Sequence, residues 1–331
     1  MIDNFKQLLE TSDSILITTH LGADPDAVCS GLLLAKTLGL NYPSKKVNLV
    51  AEEVSYGLDF IDGFNSIKKS PLGSAIAGFK PDLLIILDAN NLARCTRNPV
   101  AAKDALNGAN TIIIDHHEPD DKDKSDVYIH QNSPAVTQDI YDICFDQLGM
   151  KKPPGYAEVA MTGLYSDTAG FVHLTDDYEK TFKIVMTLIK DGASIEGIHS
   201  NLHQYSSSAT EVLAELLAKT SPFLKFSYSF ITDEYAASKP ANEIKQGIDI
   251  YVNDYVRNID GRKSGFVVYK DLNSQKGEYK VSFRSLPGLV DVASIAKKLG
   301  GGGHKPSAGA SFEAADINDA LSKVKQAISE N

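Results

Sequence analysis

The sequence contains few cysteines, and their positions exclude two kinds of site. Cys29, Cys95 and Cys144 share no CxxC-like spacing, which a zinc site built on cysteine pairs would require. Three isolated cysteines also cannot form the disulfide framework of a small secreted domain. We therefore expect small buried side chains at these positions, with an exposed thiol at Cys95 as the alternative.

Long apolar runs and clusters of basic residues are missing as well. The strand-like run LLIIL is followed at once by Asp88, so it cannot span a membrane. The N-terminal stretch MIDNFKQLLETSDS lacks the basic start and the apolar core of a secretory signal. These absences predict a cytoplasmic protein without a membrane partner.

The charge balance is acidic. Lysine and arginine number 33 against 43 aspartates and glutamates, giving a net charge of −10 with no basic block. Broad adhesion to duplex DNA is therefore disfavoured, although a small basic pocket remains open. An acidic protein that handles phosphates needs metal ions or a few local cations.

Patterns of apolar residues predict two α/β domains within the 331 residues. In the first half, apolar runs such as SILITTH, DLLIILD and TIIID alternate with segments of helical periodicity, which is typical of a parallel β-sheet flanked by helices. From KFSYSFI onward, alternating apolar and polar residues predict a smaller α/β domain with a mixed sheet. We place the first domain at residues 1–195, a helical linker at 196–220 and the second domain at 221–331.

Acidic residues and histidines follow the predicted strands at one edge of the sheet. Since the carboxyl ends of parallel strands meet at that edge, we expect these side chains to share a crevice. Carboxylates so close together cannot all stay ionised without cations, and mixed carboxylate and imidazole ligands suit manganese, iron or zinc better than calcium. The cluster has enough members for two metal ions: His20, Asp24, Asp26, Asp88, Asp115, His116, His117 and, after a helical segment, Asp167.

Each of these features could also be purely structural. Asp24 or Asp26 could cap the helix that follows, and Asp88 before two asparagines could be turn chemistry. The pair of His116 and His117 could lie in a surface turn. Independent caps and turns, however, have no reason to occupy equivalent tips of several buried strands, so the metal interpretation is favoured for the set.

Five motifs in chain order resemble those of a known family. HLGADPD, ILDAN, IDHH and GLYSDT are similar to the four signature motifs of the DHH phosphoesterase superfamily, and RSLPGLVDVASIAKKLGGGGHKPSAGA resembles the glycine-rich core of its companion DHHA1 domain. The chain is most similar to the branch of bifunctional oligoribonucleases and phosphatases of 3′-phosphoadenosine 5′-phosphate (pAp). The resemblance implies an N-terminal DHH domain, a C-terminal DHHA1 domain and an active site in the cleft between them.

The resemblance also implies roles for the clustered residues. Two divalent metal ions, with manganese expected and magnesium or cobalt as alternatives, would be held by His20, Asp24, Asp26, Asp88, His116 and Asp167. His20 and Asp24 would hold one ion, and Asp26, His116 and Asp167 would hold the other. Asp88 would bridge the two ions. His117 would face the scissile phosphate and, with Asp88, act in catalysis.

In the second domain the resemblance implies substrate contacts. Glycines allow backbone amides to approach an anion closely, although a helix cap followed by a flexible turn is the ordinary interpretation of such a run. An arginine at the end of EYKVSFR could bind a phosphate or a base, or form a surface salt bridge. The substrate-binding candidates are Arg262, Arg284, Gly301, Gly302, Gly303 and His304, together with His117.

The implied activity is hydrolysis of short nucleotides by attack of a metal-bridging hydroxide on phosphorus. The expected substrates are short single-stranded RNA or DNA oligonucleotides, dinucleotides such as pApA, and nucleoside bisphosphates such as pAp. Duplex DNA is not expected, and a homodimer is left open. The segment SPAVTQDIYD, residues 133–142, departs from the family pattern by keeping Thr137 without a serine pair, which bears on the phosphate or ribose contacts.

Two other functions remain open. Hydrolysis of inorganic pyrophosphate or polyphosphate would use the same metal site, and a non-catalytic nucleotide sensor would keep the scaffold alone. A dinucleotide-dependent oxidoreductase is excluded, because His20 and two aspartates follow the first strand where a glycine fingerprint would be required.

Overall fold

The computed structural model describes residues 1–117, 125–174, 178–259, 261–271 and 277–331. These residues form two compact units, Met1–Gln204 and Tyr205–Asn331. The boundary between the two units falls within the linker predicted at residues 196–220. The exact limits of the two domains stay predictions. No helix in the described ranges is both long enough and apolar enough to cross a membrane.

The described strands of the first unit form a parallel sheet in the order β3-β2-β1-β4-β5-β6. Strands β1, β4 and β5 are neighbours in this order, and they are the three strands that end in the acidic and histidine motifs. The predicted parallel sheet is confirmed, with short strands at its edges in addition to those predicted. The six strands are β1 Ser14–Thr19, β2 Lys46–Ala51, β3 Lys68–Lys69, β4 Leu83–Leu87, β5 Asn110–Asp115 and β6 Val127–His130.

Helices cover both faces of this sheet. Ile15 and Ile17 of β1 pack into one apolar core and Leu16 packs into the other, because successive side chains of a strand point to opposite faces. The helices are α1 Ile2–Thr11, α2 Pro25–Asn41, α3 Leu72–Phe79, α4 Pro99–Leu106, α5 Val136–Tyr141, α6 Tyr156–Asp167, α7 Tyr178–Lys190 and α8 Ile195–Leu202. A π-helical segment, Asp142–Gln147, continues α5.

Helices α2, α5 and α6 pack closely together and carry part of the candidate site. Gly163 of α6 allows this approach, since a Cβ there would lie 2.2 Å from Thr137 Oγ1 and 2.9 Å from Cys29 Cβ. All three cysteines are buried, so the alternative of an exposed thiol at Cys95 is wrong.

The described strands of the second unit form a mixed sheet in the order β11-β12-β10-β9-β8-β7, in which β8 and β9 are parallel and the other pairs antiparallel. Residues Tyr279, Val281 and Phe283 alternate into an apolar core, which confirms the predicted half-exposed strand. The elements are α9 Ser207–Ala218, β7 Ser221–Phe223, β8 Phe226–Phe230, α10 Asp233–Ala237, α11 Ala241–Ile250, β9 Ser264–Lys270, β10 Glu278–Ser285, α12 Val292–Lys298, β11 Gly302–His304, β12 Ser307–Glu313 and α13 Ile317–Ser329.

Candidate metal centre

The turn after β1 places His20 and Asp24 side by side. The backbone of this turn is held from outside, since Leu21 N donates to Arg94 O at 2.7 Å. Asp24 caps α2 through Oδ1, which accepts from Ala27 N at 3.0 Å. Its other oxygen, Oδ2, lies 3.9 Å from His20 Nε2. Asp24 can therefore be both a helix cap and a metal ligand, because the oxygen that caps α2 and the oxygen beside His20 are different atoms.

Asp26 and His116 meet at a second point of the crevice, where helix α6 ends at Asp167. The carboxylate of Asp26 is buried, with 1% of the residue exposed. His116 Nε2 lies 3.5 Å from Asp167 Oδ2. His116 Nδ1 donates to Ser133 O at 3.2 Å, so its Nε2 is the atom that faces the carboxylates.

Asp88 lies between these two groups. Its Oδ2 is 3.4 Å from His20 Nε2, and its Oδ1 is 3.6 Å from both His116 Nε2 and His117 Nδ1. The residue has a φ of 55°, a left-handed conformation that aspartate tolerates better than most residues and that is often found at functional sites. Its Oδ1 is buried and has no hydrogen-bond partner among the described residues. A buried carboxylate oxygen of this kind is expected to have a cation as its partner.

Asp115 orients His117. Asp115 is fully buried, and its Oδ1 accepts from His117 Nδ1 at 2.8 Å. A carboxylate partner on one ring nitrogen fixes the orientation of the imidazole and its tautomer. Asp115 belongs to the IDHH motif, from which no role of its own was expected, and its position two residues before His117 is the sequence signal that points to this contact.

Negative charge is crowded in this crevice. Burial, with repulsion from Asp26, raises the pKa of Asp167 to about 9, and burial with repulsion from Asp88 raises the pKa of Asp26 to about 7. Burial alone would lower the pKa values of His20 and His116, but neighbouring carboxylates, chiefly Asp88, outweigh it and raise both to about 9. A divalent cation would relieve this crowding, because it stabilises the ionised form of several carboxylates at once.

The donor atoms fit divalent metal ions. Among the residues that the structure describes, three groups bring one nitrogen or oxygen atom per residue within 4.8 Å of one another. Neutral imidazole and carboxylate donors suit a transition metal such as manganese or zinc. The six predicted ligands make up two of these groups, and His117 belongs to the third. The groups are His20, Asp24 and Asp88; Asp26, His116 and Asp167; and Asp88, His116 and His117.

The two arginine candidates lie in the second unit. Arg284 lies in β10, where its Nε donates to Asn253 Oδ1 at 3.1 Å. Burial lowers the pKa of its guanidinium. Within the described ranges Arg284 has no carboxylate ion pair, so the alternative of a surface salt bridge is not realised there. Arg262 has a buried Nε with no hydrogen-bond partner in the part of the chain that the structure describes.

The glycine run is partly a strand. Gly300 follows the C-cap of α12 with a φ of 80°, as expected for a helix-terminating glycine, whereas Gly302–His304 form β11. A Cβ on Gly301 would lie 2.1 Å from Gly309 O, and Gly303 has a φ of 133°. The fold therefore requires glycine at positions 301 and 303. At Gly302 a Cβ would meet no described atom within 4 Å, so the fold gives no reason for glycine there.

Both units match family models. Residues 14–164 match the N-terminal domain of the DHH family, and residues 232–330 match the DHHA1 domain. The first unit therefore carries an N-terminal domain of the DHH family, and the second unit carries a DHHA1 domain. The family resemblance and the α/β fold predicted from the sequence are both confirmed.

Among curated proteins, the chain is similar to bifunctional oligoribonucleases and PAP phosphatases named NrnA. It is 26% identical to the protein of Thermus thermophilus, over 96% of this chain and 89% of that protein, and 25% identical to the protein of Bacillus subtilis, over 93% and 92%. Among solved structures, an exopolyphosphatase-related protein from Bacteroides fragilis superposes with a TM-score of 0.84 at 21% identity, covering 99% of this chain and 95% of that one. This last likeness supports the fold alone.

Proposed function

We propose that this protein is a phosphoesterase that depends on two divalent metal ions and hydrolyses short nucleotides. The substrates proposed are short oligonucleotides, dinucleotides such as pApA, and pAp. The observation that carries the proposal is the position of Asp88, whose two oxygens face two different groups of donor atoms. The similarity to the NrnA proteins, which are named as oligoribonucleases and PAP phosphatases, supports the substrate class.

The metal ligands proposed are the six predicted residues. When bound, a pair of divalent ions supplies a water-derived nucleophile at neutral pH and offsets charge on the phosphoryl oxygens. His117 is proposed to contact a phosphoryl oxygen of the substrate, with its ring orientation set by Asp115. A hydrogen-bond donor held in place in this way stabilises charge that develops on oxygen without reorganising during the reaction.

The residues proposed to bind the remainder of the nucleotide lie in the second unit. Arg284 offers a charged, planar group suited to a phosphate, and its contact with Asn253 fixes its direction. Gly302 leaves open space above a backbone strand, so an anion or a base could approach the main chain there. Gly301, Gly303, His304 and Arg262 complete the proposed substrate contacts.

A panel of substrates tests the proposal. The full chain would be assayed with manganese on pAp, pApA, a trinucleotide and pyrophosphate, with products identified by chromatography. We expect manganese-dependent release of mononucleotides or phosphate from the nucleotides, lost in Asp88→Asn. Turnover of pyrophosphate alone would favour a pyrophosphatase, and saturable nucleotide binding without hydrolysis would favour a sensor; either result would overturn the proposal.

A further inference from the structure

One short segment after β6 holds two members of the donor group formed by Asp26, His116 and Asp167. At the start of α5, Val136 N and Thr137 N donate to the two carboxylate oxygens of Asp26 at 2.7 and 3.0 Å. Three residues before Val136, Ser133 O accepts from His116 Nδ1 at 3.2 Å. The position of this segment therefore determines where both side chains point.

A buried acid lies in the same segment and belongs to none of the donor groups. Asp139 is 1% exposed, and its Oδ2 accepts from Ser133 Oγ at 2.9 Å. Within the described ranges it forms no ion pair with a lysine or arginine. Burying a carboxyl group destabilises a fold unless the group is compensated by partners. Packing alone thus gives no reason for an acid at this position.

We propose that Asp139 is a positioning residue that acts on His116 through Ser133. The hydroxyl of Ser133 is held by Asp139, and the carbonyl of the same residue is held against His116. Fixing Ser133 at its side chain fixes the carbonyl that keeps His116 protonated on Nδ1, with Nε2 directed at Asp26 and Asp167. This inference rests on the metal site of the proposed function. It assigns the residues that hold the ligand His116 in place.

The inference is tested by the affinity for manganese, measured by titration calorimetry and by electron paramagnetic resonance, without substrate. Asp139→Ala removes the nearer of two acceptors of the Ser133 hydroxyl, which also donates to Ala135 O at 3.2 Å, and we expect one of the two manganese sites to weaken by on the order of 10- to 100-fold. Asp139→Asn keeps an acceptor oxygen and should bind manganese within about threefold of the wild type. A near-normal affinity in Asp139→Asn would show that residue 139 acts by accepting from Ser133 and not by its negative charge.

Asp142 offers a matched control three residues further along the chain. It is also buried, but its carboxylate pairs with Lys180 at 2.9 Å and with Gln147. Asp142→Ala should lower the melting temperature while leaving manganese affinity unchanged. A purely structural role of Asp139 predicts the same pattern for Asp139→Ala, and that result would overturn the inference.

Ser133→Ala provides a second route should Asp139→Ala fail to fold. It removes the hydroxyl and keeps the carbonyl, and it should weaken the same manganese site; an unaltered affinity in Ser133→Ala would also overturn the inference. If wild-type protein bound two manganese ions but hydrolysed no nucleotide, the proposed function would fail while this inference stood.

Discussion

Replacing Asp88 with asparagine is the sharpest test of the shared metal ligand. The substitution keeps the size of the side chain and a residue type that tolerates the left-handed φ of 55°, while it removes the charge. Saturating one site at 100 times its Kd stabilises a protein by about 2.7 kcal/mol. For a unit the size of Met1–Gln204, this corresponds to a rise in melting temperature of roughly 5–11 °C.

We expect the wild type, with two proposed sites, to show a rise of at least this size on addition of manganese, and Asp88→Asn to lose most of it, because Oδ2 faces one group of ligands and Oδ1 faces the other. Metal ions lower phosphoryl-transfer barriers by several kcal/mol, so turnover should fall by at least about 100-fold. Differential scanning fluorimetry with and without manganese provides the measurement. Each variant's metal-free protein is its own reference, which separates metal binding from any change in the fold.

Asp82 supplies the control for this experiment. It lies just before β4, at the end of the strand opposite Asp88, and its carboxylate accepts from Ser14 N at 2.9 Å. Asp82→Asn should change the stability of the metal-free protein and keep the full manganese-induced rise. A full rise and undiminished turnover in Asp88→Asn would refute the bridging role and with it the two-metal arrangement.

Three further outcomes follow from the geometry. Asp115→Ala should lower kcat while leaving manganese affinity within about threefold of the wild type, because it removes the acceptor that orients His117, which is not one of the six proposed ligands; a lost manganese affinity would contradict this. Gly301→Ala should destabilise the second unit by about 1–3 kcal/mol in chemical denaturation through overpacking, whereas Gly302→Ala should keep stability and raise KM for a dinucleotide. Arg284→Lys should raise KM more than it lowers kcat in steady-state assays, since lysine cannot make the planar contacts of a guanidinium; an unchanged KM would remove Arg284 from the substrate site.

Much of the first unit could be predicted because its sheet is parallel and buried. Continuous apolar runs such as that of β4 are typical of strands covered on both faces, and in a parallel sheet their carboxyl ends must lie at one edge. This rule is enough to bring His20, Asp88 and His116 together from the sequence alone. The specific pairing of ligands came from the family resemblance, and the distances are compatible with it.

Other features depend on contacts that a single sequence does not reveal. The left-handed backbone at Asp88 and the support of His116 by Ser133 arise from neighbours far along the chain. The glycine run is typical of a flexible turn in sequence, yet Gly302–His304 pair with β12, because an edge strand needs only backbone partners. The burial of Cys95 likewise depends on tertiary packing, which has no local signature in the residues around it.

The six proposed metal ligands all belong to Met1–Gln204, whereas Arg284 and the glycine run belong to Tyr205–Asn331. Reaction type and molecular selectivity would thus be encoded in different halves of the polypeptide. Under this division, mutations in the second half could shift preference among nucleotides during evolution without rebuilding the hydrolytic machinery. Engineering of new specificity would begin there as well.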